Sequence, residues 1–411
     1  MRILMVSDFY PPFIGGAERQ VQLLSRELTA RGHTLQVATL WQPALPAQDA
    51  ADGIDVRRLR GLTTTVPWFS KDPGRRFHPP FPDVALRQRL RRLADDFHPD
   101  LVHATGWSAY SAASVFGGKS GTPLLVSARD YGYSCAIRTL LHDHQVCTGP
   151  GFAKCVRCAR RVYGFSKAAV AAMGVSYGAA LLVRRVTAFH AISTFVRDIL
   201  TRDLLLPAGR SVPIHIIPSF REDRHEQPPS SNLQERLPPG PYILYVGALQ
   251  AHKGVEVLLA AYARLSAPPP LVLIGTRWAN SPTMMPPGVV VLEDVPHNDV
   301  MAAWEGCLFG VAPSLWAEPF GGVIHEAMSK GKAVIATNVG GPLDMIRPGE
   351  TGLLIPPGDV SALAQAMQDL LDQPEWRARL GQAGQVRSRM FTAGAVLPDF
   401  EQLYQQVVAT A

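Results

Sequence analysis

At 411 residues the chain is longer than one ordinary domain of about 100–200 residues, so two domains are expected. An apolar fraction of 47% with 18% charged residues excludes a disordered chain. The net charge of +6 is unevenly divided: residues 1–216 carry 27 Lys/Arg against 15 Asp/Glu, and the remainder 13 against 19. The basic half points toward something anionic. Its densest cluster is Arg75, Arg76, Arg87, Arg89, Arg91 and Arg92. That cluster is either a solvated helix face or a docking face for an anionic membrane or a phosphate-bearing acceptor. Without aromatic interleaving or a recognisable motif, DNA and RNA are excluded as partners.

Short apolar runs alternate with helical patterns, as parallel sheets with crossover helices require. Ile3–Val6 reads as the first buried strand, its apolar run too short for a signal peptide. A glycine-bearing loop and a helix from about Ala17 to Arg31 follow. Thr34–Thr39, Leu101–His103, Leu124–Ser127, Ala188–Ser193 and Ile214–Pro218 are the later strands of this half. The apolar stretch Ala168–Val183 falls below the roughly 20 residues that cross a bilayer, so a core or interfacial helix is expected. Alternation restarts with Tyr242–Val246 and continues through Leu271–Ile274, Val289–Leu292, Leu308–Ala312 and Ala333–Thr337. The expected division is a domain over 1–216, a linker over 217–240 that is polar and Pro-rich near Glu226–Gly240, and a second domain over 241–390. A terminal helix around Leu397–Thr410 closes the segment 391–411. The expected location is cytoplasmic, peripheral at the inner face of a membrane.

In open α/β sheets ligands bind where strands run into loops at their carboxyl ends. The first such loop is Pro11-Pro12-Phe13-Ile14-Gly15-Gly16-Ala17-Glu18. Gly15 and Gly16 let a backbone approach a phosphate or sugar, and the next helix offers free N–H groups. Neither a GxGxxG fingerprint nor a P-loop is present, which demotes dehydrogenases and P-loop kinases. The strongest signal is Glu318-Pro319-Phe320-Gly321-Gly322-Val323-Ile324-His325-Glu326. Its two carboxylates flank a glycine pair that opens a helix. Glu326 can grip a ribose diol through two charge-assisted hydrogen bonds, while Glu318 sits in the preceding loop.

This segment resembles the E-x7-E motif of the family 4 retaining glycosyltransferases, and nearly the whole chain shares their layout. The resemblance implies an α/β protein of the GT-B class, with two Rossmann-like, doubly wound parallel-sheet domains facing across a cleft. Gly15-Gly16-Ala17-Glu18 resembles the family's N-terminal glycine loop, and Val246-Gly247-Ala248-Leu249 with Lys253-Gly254 its first donor-domain loop. Ala333–Thr337 with Gly340-Gly341, and Gly349 with Gly352–Ile355, resemble the blocks that close that domain. By resemblance Glu318 contacts the donor sugar, and Phe320, Gly321, Gly322 and Val323 present amides to sugar and diphosphate. Glu326 binds the nucleotide ribose, and Lys253 neutralises the diphosphate. Glu318, Asp130 and Lys253 form the expected catalytic set. The family's terminal helix crosses back to the first domain. The partners implied are a nucleotide-sugar donor and a hydroxyl acceptor, lipid-linked or a polysaccharide. No cofactor is implied for catalysis.

Two positions depart from the family. Ala248 stands where an Arg commonly pairs with the Lys, so the diphosphate would rest on Lys253, amides and Arg277. Arg129-Asp130 replaces a His before the Asp, which removes a proton relay there but supplies a phosphate-binding guanidinium. His103, at a strand end, is either a structural histidine or a cleft residue. An epimerase of the same architecture and a non-catalytic nucleotide-sugar-binding protein are the alternative readings.

Four of the five cysteines, Cys135, Cys147, Cys155 and Cys158, fall in an insertion of about 130–165. Clustered thiols in a cytosolic chain favour a structural zinc site over disulfides, with free thiols the other reading. A subset of the family carries a similar insertion. Cys307 sits in an apolar approach and is expected in the core.

Overall fold

The computed structural model describes residues 1–13, 15–66, 74–119, 121–143, 145–221 and 233–410. Ile14 of the glycine loop and 222–232 of the expected linker lie outside the described residues. The chain divides into two compact units. One comprises Met1–His142, Cys147–Glu222 and Ala393–Ala411; the other comprises Asp143–Val146 and Asp223–Thr392.

The first unit is built on an eight-stranded sheet. Its strands are β1 (Arg2–Ser7), β2 (Thr34–Leu40), β3 (Gln48–Ala51), β4 (Ile54–Leu59), β5 (Leu101–Thr105), β6 (Leu124–Ala128), β7 (Ala188–Ala191) and β8 (Ile214–Ile216). Their order is β8-β7-β6-β5-β1-β2-β4-β3, parallel throughout except for β3 against β4. Strands buried on both faces explain the continuous apolar runs at Ile3–Val6 and Leu124–Val126. Helix Gly16–Ala30 packs Val21, Leu24 and Leu28 on this sheet. The last helix, Ala393–Ala409, adds Val396, Leu397, Phe400, Leu403, Tyr404 and Val407 to the same core. Helix Phe165–Arg185 approaches closely enough that a Cβ on Gly178 would enter the Tyr110 ring.

The second unit holds six parallel strands: β9 (Ile243–Val246), β10 (Leu271–Ile274), β11 (Val289–Leu292), β12 (Phe309–Ala312), β13 (Ala333–Thr337) and β14 (Leu353–Ile355). Their order is β11-β10-β9-β12-β13-β14. Each sheet therefore reverses its winding once, between β1 and β5 in the first unit and between β9 and β12 in the second. Connections leave such a switch point in opposite directions and open a crevice at the carboxyl ends of the two strands.

Candidate functional site

In the second unit the loops after β9 and β12 carry the polar residues. After β9 the chain makes a single 3-10 turn, Ala251–Lys253, capped by left-handed Gly254. After β12 come Ser314, Trp316 and Glu318, and then helix Gly322–Ser329. Leu315 N and Trp316 N join the two loops by donating to His252 O at 2.9 and 3.3 Å, and Gly341 N, after β13, donates to Glu318 O at 2.7 Å. Gly340, at φ +80°, packs so tightly on the Glu318 backbone that a side chain there would collide.

Lys253 and Glu318, 65 positions apart in sequence, meet: Lys253 Nζ donates to Glu318 Oε1 at 2.6 Å. Ser314 Oγ donates to the same oxygen at 2.8 Å. The ammonium also lies 4.9 Å from the centre of the Trp316 ring. Burial alone would raise the Glu318 pKa, but the Lys253 charge and these hydrogen bonds hold it below the usual carboxylate value. The neighbouring His252 is kept neutral by burial and by Lys253. Gly321, at φ +96°, starts the helix without a side-chain cap, and a Cβ on Gly322 would face open space. Phe320 is buried against Phe391. Glu326 accepts from Trp304 Nε1 at 3.3 Å and faces His297 Nδ1 at 3.9 Å. Arg277 is committed to Glu293 at 3.2 Å. Ala248 offers only its carbonyl, which accepts from the Tyr245 hydroxyl at 2.9 Å.

In the first unit the switch point holds Asp8, a residue the sequence reading passed over. Its carboxylate accepts from Trp107 N at 3.0 Å, Ser108 N at 2.6 Å and an Arg138 nitrogen at 2.9 Å. Against the cost of burial, Arg138 keeps Asp8 ionised below its ordinary pKa. Asp130 lies 3.5 Å from the same guanidinium, which stacks 4.2 Å from the Trp107 ring centre. Arg138 therefore gathers two carboxylates and an indole. The carboxyl end of the first strand was signal enough for Asp8; Arg138 lies in the irregular insertion and no local pattern marks it. Gly15 caps helix Gly16–Ala30 without a side-chain bond, and Gly16 has open space beside it. Arg129 is held off solvent, which lowers its pKa to about 10, and its Nη1 reaches Ser219 Oγ at 3.4 Å.

His103 is structural. His190 Nε2 lies 2.7 Å from the Ile217 carbonyl and must donate. His190 Nδ1 then accepts from Ser127 Oγ at 2.6 Å, and Ser127 accepts from His103 Nε2 at 2.6 Å. That leaves His103 Nδ1 to accept from the Tyr404 hydroxyl at 2.8 Å. Every member is satisfied with both imidazoles neutral. Burial accordingly pushes the His103 pKa well down and that of His190 to about 3.

The arginine cluster is not one docking face. Arg75 turns inward to Glu18 at 3.4 Å and over Phe9 at 4.2 Å, because a guanidinium packs well between a carboxylate and rings. Arg87 has a buried Nε, whereas Arg89, Arg91 and Arg92 are exposed. The cysteines also depart from the zinc expectation. Cys135, Cys147, Cys155 and Cys158 line one small cavity, yet among the described residues no three His, Cys, Asp or Glu side chains are arranged to hold a metal ion. Their thiols turn to backbone instead: Cys147 Sγ donates to Gly149 O at 3.4 Å and Cys158 Sγ to Leu141 O at 3.8 Å. Burial raises the Cys135 thiol to about 11. All five cysteines are free thiols, and Cys307 lies in the core.

Two doubly wound parallel sheets, each with polar residues gathered at its switch point, define an α/β protein of the GT-B class. The chain belongs to the glycosyl transferases group 1 family: that family model matches residues 230–387, and a glycosyl transferase 4-like domain model matches 15–218. It is 31% identical over 183 residues to a D-inositol 3-phosphate glycosyltransferase of Corynebacterium glutamicum, a match spanning 41% of this chain and 44% of that relative. Its fold is similar to that of sucrose-phosphate synthase from Thermosynechococcus elongatus, with a TM-score of 0.75, 22% identity and all of both chains covered. It is also similar in fold to Anabaena HepE solved with UDP-glucose, with a TM-score of 0.66, 16% identity, 99% of this chain and 100% of that one.

Proposed function

We propose that the chain is a retaining glycosyltransferase that moves a hexose from a nucleoside-diphosphate donor to a hydroxyl acceptor in envelope polysaccharide or glycolipid synthesis. One observation carries the reading: a half-buried carboxylate and an ammonium pair at 2.6 Å, at the switch point that also presents the uncapped start of helix Gly322–Ser329. The Lys253 ammonium has three protons, of which Glu318 takes one, so two serve diphosphate oxygens. Gly321, Gly322 and Val323 add backbone amides, and Phe320 shapes the turn that aims them. Glu318 grips sugar hydroxyls and Glu326 the ribose diol.

As the glycosidic bond breaks, negative charge grows on the departing phosphate. Lys253 and the amides stabilise it. The same phosphate takes the proton of the acceptor hydroxyl on the face it leaves, which retains anomeric configuration without a protein nucleophile. In the first unit, Gly15 and Gly16 offer open backbone at a helix start, and Asp130 and Arg129 orient the acceptor. Because Lys253 and the amides supply the countercharge, the transfer asks for no catalytic metal. The free thiols suit a reducing compartment, so the reading places the enzyme in the cytoplasm, at the inner face of a membrane with a lipid-linked acceptor.

The test is turnover with UDP-, GDP-, ADP- and dTDP-sugars and a hydroxyl acceptor, with and without chelator. The expected result is acceptor-dependent release of nucleoside diphosphate and an α-product from an α-donor, seen by NMR. In Lys253→Ala, kcat should fall about 100- to 1000-fold, the loss typical of one stabilising donor. An inverted product, or donor conversion without acceptor, overturns the reading.

A further inference from the structure

Between Asp143 and Asp198 the sequence holds eight Lys/Arg and no acidic residue. This segment folds into two consecutive helices, Phe152–Tyr163 and Phe165–Arg185, joined at Gly164. The second helix is largely apolar, with a mean hydropathy of 1.4 over its best window, and carries Lys167, Arg184 and Arg185 toward its ends. One face is used by the first unit, where Ala168, Ala171, Ala172, Val175, Leu182 and Val183 are buried. Gly174 on that face is pressed against the Pro80 carbonyl. The helix is long and apolar enough to cross a bilayer, but it is held along one side by protein.

Its other face is apolar and exposed. Val170, Met173 and Tyr177, at i, i+3 and i+7, are 42%, 53% and 61% exposed and end on exposed Arg184. Phe165, at the start of the helix, is 69% exposed, and Phe152 on the preceding helix is 59% exposed. Arg157 and Arg160 of that helix are exposed as well. A cavity of about 240 Å³ runs beside the helix, lined by Ala172, Val175, Leu204 and Pro207 together with Ser176 and Asp203, whose carboxylate is paired with Arg202. A globular protein rarely leaves such a patch uncovered. Aromatic and aliphatic side chains interspersed with arginines, with no carboxylate on either helix, match the boundary of an anionic bilayer. Two copies of the face brought together would oppose like charges, which argues against self-association as its occupant.

We infer that the helix pair Phe152–Arg185 is a docking surface for an anionic lipid bilayer, with Phe152, Phe165, Val170, Met173 and Tyr177 inserted and Arg157, Arg160 and Arg184 on the headgroups. This deepens the lipid-linked acceptor reading and rests on it for its purpose, but binding is measured independently of turnover. It also moves the membrane face from the Arg75–Arg92 cluster to these helices.

The experiment is co-sedimentation of the full chain with vesicles of phosphatidylcholine alone and of phosphatidylcholine with phosphatidylglycerol. The intact protein should bind the anionic vesicles and be released by high salt. Phe165→Glu with Met173→Glu and Tyr177→Glu should abolish binding. Arg157→Gln with Arg160→Gln and Arg184→Gln should weaken it on the order of 100-fold, from about 1 kcal/mol per arginine. Arg89→Gln with Arg91→Gln and Arg92→Gln should leave it nearly unchanged. All substituted positions are exposed, and unchanged thermal melting checks that each variant folds. Intact protein that ignores anionic vesicles, or variants that bind like the intact chain, overturns the inference. So does dimerisation in light scattering that disappears with the three glutamates. Binding by a chain that turns over no nucleotide sugar would sink the transferase reading and leave this one standing.

Discussion

Replacing Lys253 by Met keeps the bulk of the side chain and removes the charge that Glu318 faces at 2.6 Å. Glu318 is then left as a carboxylate whose side chain is 17% exposed, with Ser314 Oγ at 2.8 Å and Trp316 as its remaining donors. A hydrogen bond to a charged group contributes about 1.5–3 kcal/mol. The Lys253 side chain is 24% exposed, so solvent screening sets the expectation near the lower end, at about 1.5–2 kcal/mol. For a domain of this size each kcal/mol moves Tm by about 2–4 °C, so the second unit should melt about 3–8 °C lower at pH 7. The sign with pH follows from the direction of the shift. The Glu318 pKa is lowered in the folded chain, so the pair's contribution is present above the unfolded carboxylate value and lost as pH falls through the folded one. In Lys253→Met burial is opposed only by the Ser314 and Trp316 hydrogen bonds, so the pKa rises and protonation relieves the isolated charge. The deficit of the variant should therefore shrink between pH 7 and pH 5. Calorimetry of the parent, Lys253→Met, Glu318→Gln and the double variant gives the coupling, expected at about 1.5 kcal/mol. Melting within about 1 °C of the parent at pH 7, or an equal deficit at both pH values, would refute the reasoning.

Other expectations follow from the same contacts. Ser127→Ala cuts the relay between His103 and His190 and leaves two buried imidazoles short of a partner, costing about 1–3 kcal/mol in urea unfolding; a loss below about 0.5 kcal/mol would contradict the proton assignment. Because the His190 pKa is depressed to about 3, the parent should lose stability as pH falls below the unfolded histidine value of about 6.5. That slope should be smaller in His190→Phe, and equal slopes would count against a neutral imidazole. Arg138→Met strips Asp8 and Asp130 of their shared cation, so Asp8 should titrate higher by NMR and acceptor KM should rise more than donor KM. Equal effects on both substrates would place Arg138 in a purely structural role. Metal analysis of the purified chain should find less than one zinc per molecule, since among the described residues no three ligands converge; one tightly held zinc would show that the thiols rearrange.

The strands were legible because parallel sheets bury both faces and write apolar runs directly into the sequence. Nearly every run from Ile3–Val6 to Ala333–Thr337 is a strand within a residue or two. Strand β4 (Ile54–Leu59) was missed because Asp55, Arg57 and Arg58 interrupt its apolar residues, and β3 pairs with it at the sheet edge. Glu318 and Lys253 were legible as separate motifs, and the fold supplies the loop bonds that bring them together. Asp8 and Arg138 are 130 positions apart, and only the fold joins them. The Arg75–Arg92 cluster misled because charge density along a chain does not say which guanidinium has a carboxylate or a ring to turn toward. The apolar stretch at Ala168–Val183 was recognised as a core or interfacial helix, but its two unlike sides emerge only once one of them is packed.

The central claim, that the second unit binds a nucleotide sugar through the Glu318–Glu326 segment, is met most directly by thermal shift with UDP-, GDP-, ADP- and dTDP-sugars on the intact chain and on Glu326→Ala. The account predicts stabilisation by one nucleotide class, about 2.7 kcal/mol at 100 times Kd, and its loss in the variant. No shift with any of the four, or the same shift in Glu326→Ala, would contradict it.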